Sequence, residues 1–248
     1  MAYTTIDDPG LYFNTVIFTG DGTDNRAISV GFQPDLVWNR MRTDDSGGYI
    51  TDSVRGNNAA LQTTNANGEG TFASMTFTST GITVSGNDNV NNEDAHNFVL
   101  WNWKAGGSAS TNENGSVDTS VSVNQDAGFS ICTYTGNDTD GATFGHGLGA
   151  IPSVVLIKQR DATRNWYMKH KSLSSDYNIS LDQTIAQFNA SSYNAGIIDD
   201  LDNANTWSVT KGAAAMTNNN ADGGTYVAYC FAEKQGYSKF GSYTGNGN

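Results

Sequence analysis

The side chains able to do chemistry in this 248-residue sequence are few and far apart. Three histidines, His96, His146 and His170, sit in unrelated surroundings, and only His146 lies in an evident turn, His146-Gly147-Leu148-Gly149. An imidazole in such a turn serves structure more often than catalysis. No serine elbow, paired metal-binding histidines or phosphate-cradling glycine loop accompanies it. Acidic residues are numerous enough for a glycosidase carboxylate pair. They gather in turns, however, and the best-defined core segment carries basic residues instead. The sequence therefore predicts no enzyme and no catalytic residue.

Three turns rich in Asp and Asn offer oxygen ligands to calcium: Asp21-Gly22-Thr23-Asp24-Asn25, Asn137-Asp138-Thr139-Asp140-Gly141 and Asp199-Asp200-Leu201-Asp202-Asn203. None has the full calcium-loop spacing, and Asp and Asn commonly cap tight turns by bonding their own backbone. No metal or cofactor is expected. Trp166-Tyr167 and Trp101-x-Trp103 have two readings, sugar stacking or core filling, and alternating strand positions favour the core. In the last strand Val227, Tyr229 and Phe231 form the more apolar face, which puts Cys230 on the other face with Tyr226 and Ala228. Cys132 shares a face with Tyr134. Separate faces and folding in the cytosol predict two free thiols.

The elements that position these residues follow from composition. Gly numbers 28, Pro only 3, and charged residues only 15%, so the chain lacks the Glu, Lys and Arg that helices draw on and is rich in residues that turn hairpins. A formal net charge of −12, with 13 basic residues in no cluster, repels phosphate backbones and predicts no nucleic-acid partner. No apolar run is long enough for a membrane helix, and Met1-Ala2-Tyr3-Thr4-Thr5 is unlike the start of a signal peptide. Synthesis in the cytoplasm without membrane insertion is expected.

An internal repeat organises the chain. Phe18-Thr19-Gly20 matches Tyr134-Thr135-Gly136 at an offset of 116, and the pattern from Pro34 to Arg42 matches that from Pro152 to Arg160 at 118. Asn97–Lys104 then aligns with Thr225–Ala232 at 128, so the second copy has the longer middle loop. Short runs rich in Val, Ile, Tyr, Phe, Trp and Thr, bounded by Gly, Asn and Asp, predict strands near 13–19, 26–30, 35–41, 48–53, 72–78, 81–85 and 96–103. Leu36-Val37-Trp38 and Val154-Val155-Leu156-Ile157 are apolar on both faces and predict central strands. The expected fold is all-β, two tandem antiparallel β-sandwich domains of jelly-roll or lectin-like type arising from duplication. The expected divisions are an N-terminal docking segment or first strand at 1–12, repeat 1 at 13–106, a linker or edge strand at 107–127, repeat 2 at 128–241 and a tail at 242–248.

The opening Met1–Pro9, Gly31-Phe32-Gln33-Pro34-Asp35-Leu36-Val37-Trp38, Asp52-Ser53-Val54-Arg55-Gly56, Tyr226–Glu233 and Gly236–Gly245 together resemble a repeated β domain found in virion proteins of marine bacteriophages that are often labelled tail-fibre-like. The resemblance implies a structural protein on the virion surface, a tail-fibre or tail-tip component that attaches to a host glycan or outer-membrane protein. The alternative is a capsid decoration or head fibre, with a glycan-degrading enzyme a distant third. Implied partners are other tail or capsid proteins, host-surface glycan and two further copies in a homotrimer. No catalytic or binding residues are carried over with the resemblance.

Overall fold

The computed structural model describes residues 6–71, 74–86, 88–189, 196–199, 201, 203–211 and 219–246. Within them the chain is all-β, with a single 3-10 turn at Pro9–Leu11 that the Asp8 side chain caps by accepting from the Gly10 N–H. The first half contains β1 (Phe13–Thr19), β2 (Arg26–Ser29), β3 (Leu36–Met41), β4 (Tyr49–Asp52), β5 (Ala60–Gln62), β6 (Met75–Thr78), β7 (Gly81–Val84) and β8 (Asn97–Trp103). All seven predicted spans hold a strand. Residues 72 and 73 of the fifth span lie outside the described residues. The additional strand, β5, has three residues, too few to show an alternating pattern.

The second half contains β9 (Ser110–Asn112), β10 (Thr119–Asn124), β11 (Phe129–Thr135), β12 (Ala142–Gly145), β13 (Val154–Gln159), β14 (Tyr167–His170), β15 (Tyr177–Ser180), β16 (Phe188–Asn189), β17 (Thr206–Val209) and β18 (Thr225–Phe231). The segment expected to link two domains therefore holds two strands, β9 and β10. β10 lies inside a sheet between β9 and β11, and so is not itself an edge. Its alternation of Val with small hydroxyl residues suits that position, because Val121 reaches the core while Ser120 and Ser122 face the other way.

Strands pair in four antiparallel sheets with orders β1-β8-β3-β4-β5, β2-β7-β6, β16-β15-β14-β13-β18-β11-β10-β9 and β12-β17. Side chains from facing sheets build three cores, which stack the sheets as a sandwich of four layers. Val37, Tyr49 and Leu100 of the five-stranded sheet meet Ile28, Met75, Ile82 and Val84 of the three-stranded one. Tyr134, Val155, Ile157 and Tyr226 of the eight-stranded sheet meet Phe144, Trp207 and Val209 of the two-stranded one. Between the two large sheets lies the third core, where Leu36, Ile50 and Leu61 pack on Phe129, Ile131, Leu156, Trp166, Val227 and Tyr229. Each such fully buried side chain stabilises by about 1.5–3 kcal/mol, so this middle layer joins the halves strongly.

The doubly apolar strands follow from this layering. In β3, Leu36 enters the middle core and Val37 the outer one; in β13, Leu156 and its neighbours Val155 and Ile157 do the same. Both are interior strands of their sheets.

Candidate functional site

The densest group of ionisable side chains lies across the two halves. After β4, the chain turns through Ser53 to Gly56, whose φ of +102° reverses it so that its N–H bonds the Asp52 carbonyl. That turn folds Arg55 back over Asp52, and the side chains of both are wholly buried. The guanidinium donates from Nε to Asp52 Oδ2, from Nη1 to Glu69 Oε2 (2.7 Å), and from Nη2 to the Ile50 carbonyl (3.0 Å) and the Tyr229 hydroxyl (3.2 Å). Tyr229 in turn donates to Asp52 Oδ2 at 2.6 Å, and Arg160 grips both oxygens of Glu69 at 2.9 and 3.0 Å. Burial opposes the Arg55 charge, but the Asp52 carboxylate, Tyr229 and Glu69 outweigh it and hold the guanidinium above its ordinary pKa. Burial of Glu69 is likewise outweighed by its bonds from Arg160 and Arg55, and its pKa falls below the usual carboxylate value.

Lys158, on β13, completes the junction. Its buried Nζ donates to the carbonyls of Ala66 (3.1 Å), Gln159 (3.0 Å) and Arg164 (2.7 Å), and burial lowers its pKa to about 8. The loop before Glu69 is also stitched by backbone bonds, Arg164 N–H to Ala66 and Glu69 N–H to Arg160. The bonding capacity of these charges goes to one another and to the backbone, as buried ions require. Their chemistry is that of a clamp between the halves.

The Asp/Asn turns are held from within. After β1, Asn92 accepts from the Asp21 N–H and donates through Nδ2 to the Thr23 carbonyl and Asp21 Oδ1. After β11, Asn220 accepts from the Asn137 N–H and donates to the Thr139 carbonyl and Asn137 Oδ1. Gly20 and Gly136 allow this closeness, since a Cβ at either would stand about 2 Å from the carbonyl of Glu93 or Ala221. These carboxylates and amides cap turns. Among the described residues no three His, Cys, Asp or Glu side chains gather to hold a metal. In the third turn, Asp200 and Asp202 lie outside the described residues.

His146 is fully buried beside Trp207; its Nδ1 accepts from the Leu148 N–H, its Nε2 faces the Asn203 carbonyl, and burial lowers its pKa to about 4. His170 accepts from the Ser172 N–H, and His96 bonds Thr43, so the three imidazoles stay apart: His146 and His170 each close a local turn, and His96 ties together the loops after β3 and before β8. Cys132 and Cys230 are free and buried, but they share one core with Tyr134, Tyr226 and Ala228, which corrects the expectation of separate faces. Both faces of β18 are covered, so apolar character could not rank them. Tyr134 stands opposite Tyr226 in the register and fixes Cys132 and Cys230 on one side.

Trp166 and Tyr167 are buried, with Trp166 donating to the Gln62 carbonyl across the halves. Trp101 and Trp103 are half-buried. Trp103 borders a cavity of about 440 Å³ between the two large sheets, together with Trp38, Leu156, Met168, Phe231 and Phe240. The segment after β18 closes one side of it. Lys234 and Ser238 bridge a tight turn, Glu233 pairs with Lys171, and the Phe240 N–H bonds Glu233 Oε1.

Sequence reasoning passed over Glu69, Tyr229, Asn92 and Asn220 as site residues. For the two asparagines a signal existed, since Asn91-Asn92-x-Asp94 and Asn219-Asn220-x-Asp222 recur at the offset of the last strand. Nothing in the sequence marks Glu69, whose partners lie 14 and 91 positions away. A family model described as Domain of unknown function (DUF7483) matches residues 8–248. Neither the curated proteins nor the solved structures contain a match to the chain.

Proposed function

We propose, for a chain that belongs to the family described as Domain of unknown function (DUF7483), a non-enzymatic structural role on the outside of a bacteriophage virion. Its place is a tail fibre or tail tip, where it contacts the host surface through a glycan or an outer-membrane protein. The observation that carries the structural part is the Asp52–Arg55–Glu69–Arg160–Tyr229 clamp, buried at Asp52, Arg55 and Tyr229 and part-buried at Glu69 and Arg160, which uses the most chemically capable side chains to fuse the halves into one stiff block. A stiff β scaffold that raises loops at its ends suits attachment. The virion setting rests on the resemblance of Asp52–Gly56 and the other quoted segments to marine phage proteins.

A tandem duplication belongs to the same proposal. Its support is the pairing: Phe18 faces Phe98 as Tyr134 faces Tyr226, and Leu36 faces Trp103 as Val154 faces Phe231. The order β1-β8-β3 over β2-β7, matched by β11-β18-β13 over β12-β17, in which the chain passes between sheets from β1 to β2, β2 to β3 and β7 to β8, supports a jelly-roll-like arrangement in each half. Assembly as a homotrimer completes the proposal, and a monomeric mass by light scattering removes that part.

The second reading, a capsid decoration, is favoured by the packing of the two halves against each other through the middle core. Immunogold labelling of intact particles with antibody to this chain decides between them. Gold at the tail is expected; gold over the head moves the chain to the capsid, and unlabelled particles overturn the virion role.

A further inference from the structure

We propose that the gap between the two large sheets binds one aliphatic chain bearing an anionic head group, a site beyond the structural role above. Protein interiors pack as densely as organic crystals, so a 440 Å³ space in the middle layer is a missing piece of core. It falls within the roughly 300–1,000 Å³ of small-molecule sites, which are mostly apolar and have a few polar groups in set places. Its depth is aliphatic, formed by buried Leu36, Ile50 and Leu156. Toward solvent the walls become half-exposed Trp38, Met168, Leu181, Phe231 and Phe240. A sugar would lose its hydrogen bonds against such walls; an alkyl chain regains the contacts that they lack.

The head group follows from charge. The chain has 25 acidic residues to 13 basic ones, yet no carboxylate lines this cavity; Glu233, whose charge reaches Lys239 and His170, stands outside the lining and is engaged by Lys171 and the Phe240 N–H. The polar side chains that do line it are exposed Lys239, the Tyr229 hydroxyl already engaged in the clamp, and His170. With His170 Nδ1 accepting from Ser172, its Nε2 carries the hydrogen and is a donor. One ammonium and one ring N–H complement a carboxylate or phosphate at the end of an alkyl chain. Lys239, Phe240 and Gly241 form one wall, and Glu233 behind them pins the strap to Lys171 and to the Phe240 N–H, so the site is held open by the fold itself.

The same chemistry is offered by a free fatty acid and by an acyl chain of an anionic lipid. The whole protein is titrated with sodium laurate below its micelle concentration, read by tryptophan fluorescence and native mass spectrometry, with lauryl alcohol and phosphatidylglycerol vesicles in parallel. One laurate per chain with a shift in tryptophan emission is expected, since Trp38 and Trp103 line the space. Met168→Trp fills the cavity and is expected to abolish binding, and Lys239→Glu weakens laurate about tenfold while sparing the alcohol. Leu181→Phe serves if circular dichroism shows Met168→Trp unfolded. Binding to vesicles alone, lost in the filled variant, supports the same site with a lipid as its source. Uptake of several laurates, equal binding by the filled variants, or no binding in any arm overturns the proposal.

Discussion

The two halves run their strands in the same order but differ in how they are finished. In the second, β11 pairs with β18 on one side and with β10 on the other, and β9 extends the sheet further. In the first, β1 pairs with β8, and no strand among the described residues pairs with its other edge. The clamp is equally one-sided. Asp52 and Arg55 belong to the first half, while the matched positions 118 residues on are His170 and Leu173. The first half supplies Asp52, Arg55 and Glu69, and the second supplies Tyr229, Arg160 and the buried Lys158 ammonium to meet them. A shared strand order thus specifies the scaffold, and the unshared residues specify how the two scaffolds join.

Breaking the clamp has the largest expected effect. Arg55→Met leaves Asp52 buried with only the Tyr229 hydroxyl and a backbone N–H as partners. Removing one member of a buried pair costs about 3–5 kcal/mol, more than replacing both. Urea unfolding is expected to show that loss, and Arg55→Met with Asp52→Leu is expected to recover part of it. A single substitution as mild as an exposed one would mean that the halves are joined by the apolar middle layer alone.

Acid sharpens the contrast next, because His146 occupies a position that is Val30 in the first half, 116 residues earlier. Its imidazole binds a proton at 6.5 when unfolded but only at about 4 in the fold. Between those values the unfolded chain holds more protons, so stability is full above 6.5 and declines as the pH falls toward 4. The decline reaches at most about 3 kcal/mol, at 1.36 kcal/mol for each unit. Glu69, with its lowered pKa, also loses stability as pH falls, so the measurement is the difference between wild type and His146→Gln in unfolding free energy across this range. The variant is expected to have the shallower slope.

The asparagine clasps test where the halves are alike. Asn92→Ala and Asn220→Ala each remove a buried amide and leave the N–H and carbonyl groups of an exposed turn to water, at a cost of about 0.5–1.5 kcal/mol. Chemical denaturation is expected to give losses that agree closely. A large difference would show that similar hydrogen bonds carry different weight in the two halves.

How much of this was legible in sequence depended on the range of the interaction. Strand positions were legible, because period-two patterns between Gly and Asn turns are local; β3 and β13 announced their burial on both faces through Leu36-Val37-Trp38 and Val154–Ile157. The turns were legible too, but their clasps were not, since Asn92 acts 71 residues from Asp21. The facing of Cys230 was misjudged because hydrophobicity orders two faces only when one is wet, and β18 has two dry ones. The cavity lies between sheets whose mutual packing no local pattern encodes. Phe240 reaches it from the end of the span expected for repeat 2, where no local pattern marks a cavity wall.

The smallest effect on stability is expected at the edge itself, and there the comparison is at its plainest. Gly20 bonds the His96 carbonyl and Lys104 bonds the Tyr12 carbonyl, so even-numbered residues of β1 exchange hydrogen bonds with β8. Phe13, Thr15 and Ile17 therefore turn their N–H and C=O groups outward, where β11 meets β10 in the other half. Ile17 is 66% exposed, and its matched residue in β11 is the smaller, polar Thr133. Natural edges are usually blunted by a charge, a proline or a bulge, and Phe13–Thr19 carries no charge and no proline. Ile17→Lys adds a charge without touching the core and is expected to change unfolding free energy by no more than about 0.5 kcal/mol. Sedimentation velocity at rising protein concentration is the sensitive readout, with less self-association expected in the variant. The same substitution at Thr133, beside β10, is expected to leave sedimentation unchanged; an equal response at both positions would mean that the covered and uncovered edges are not physically different.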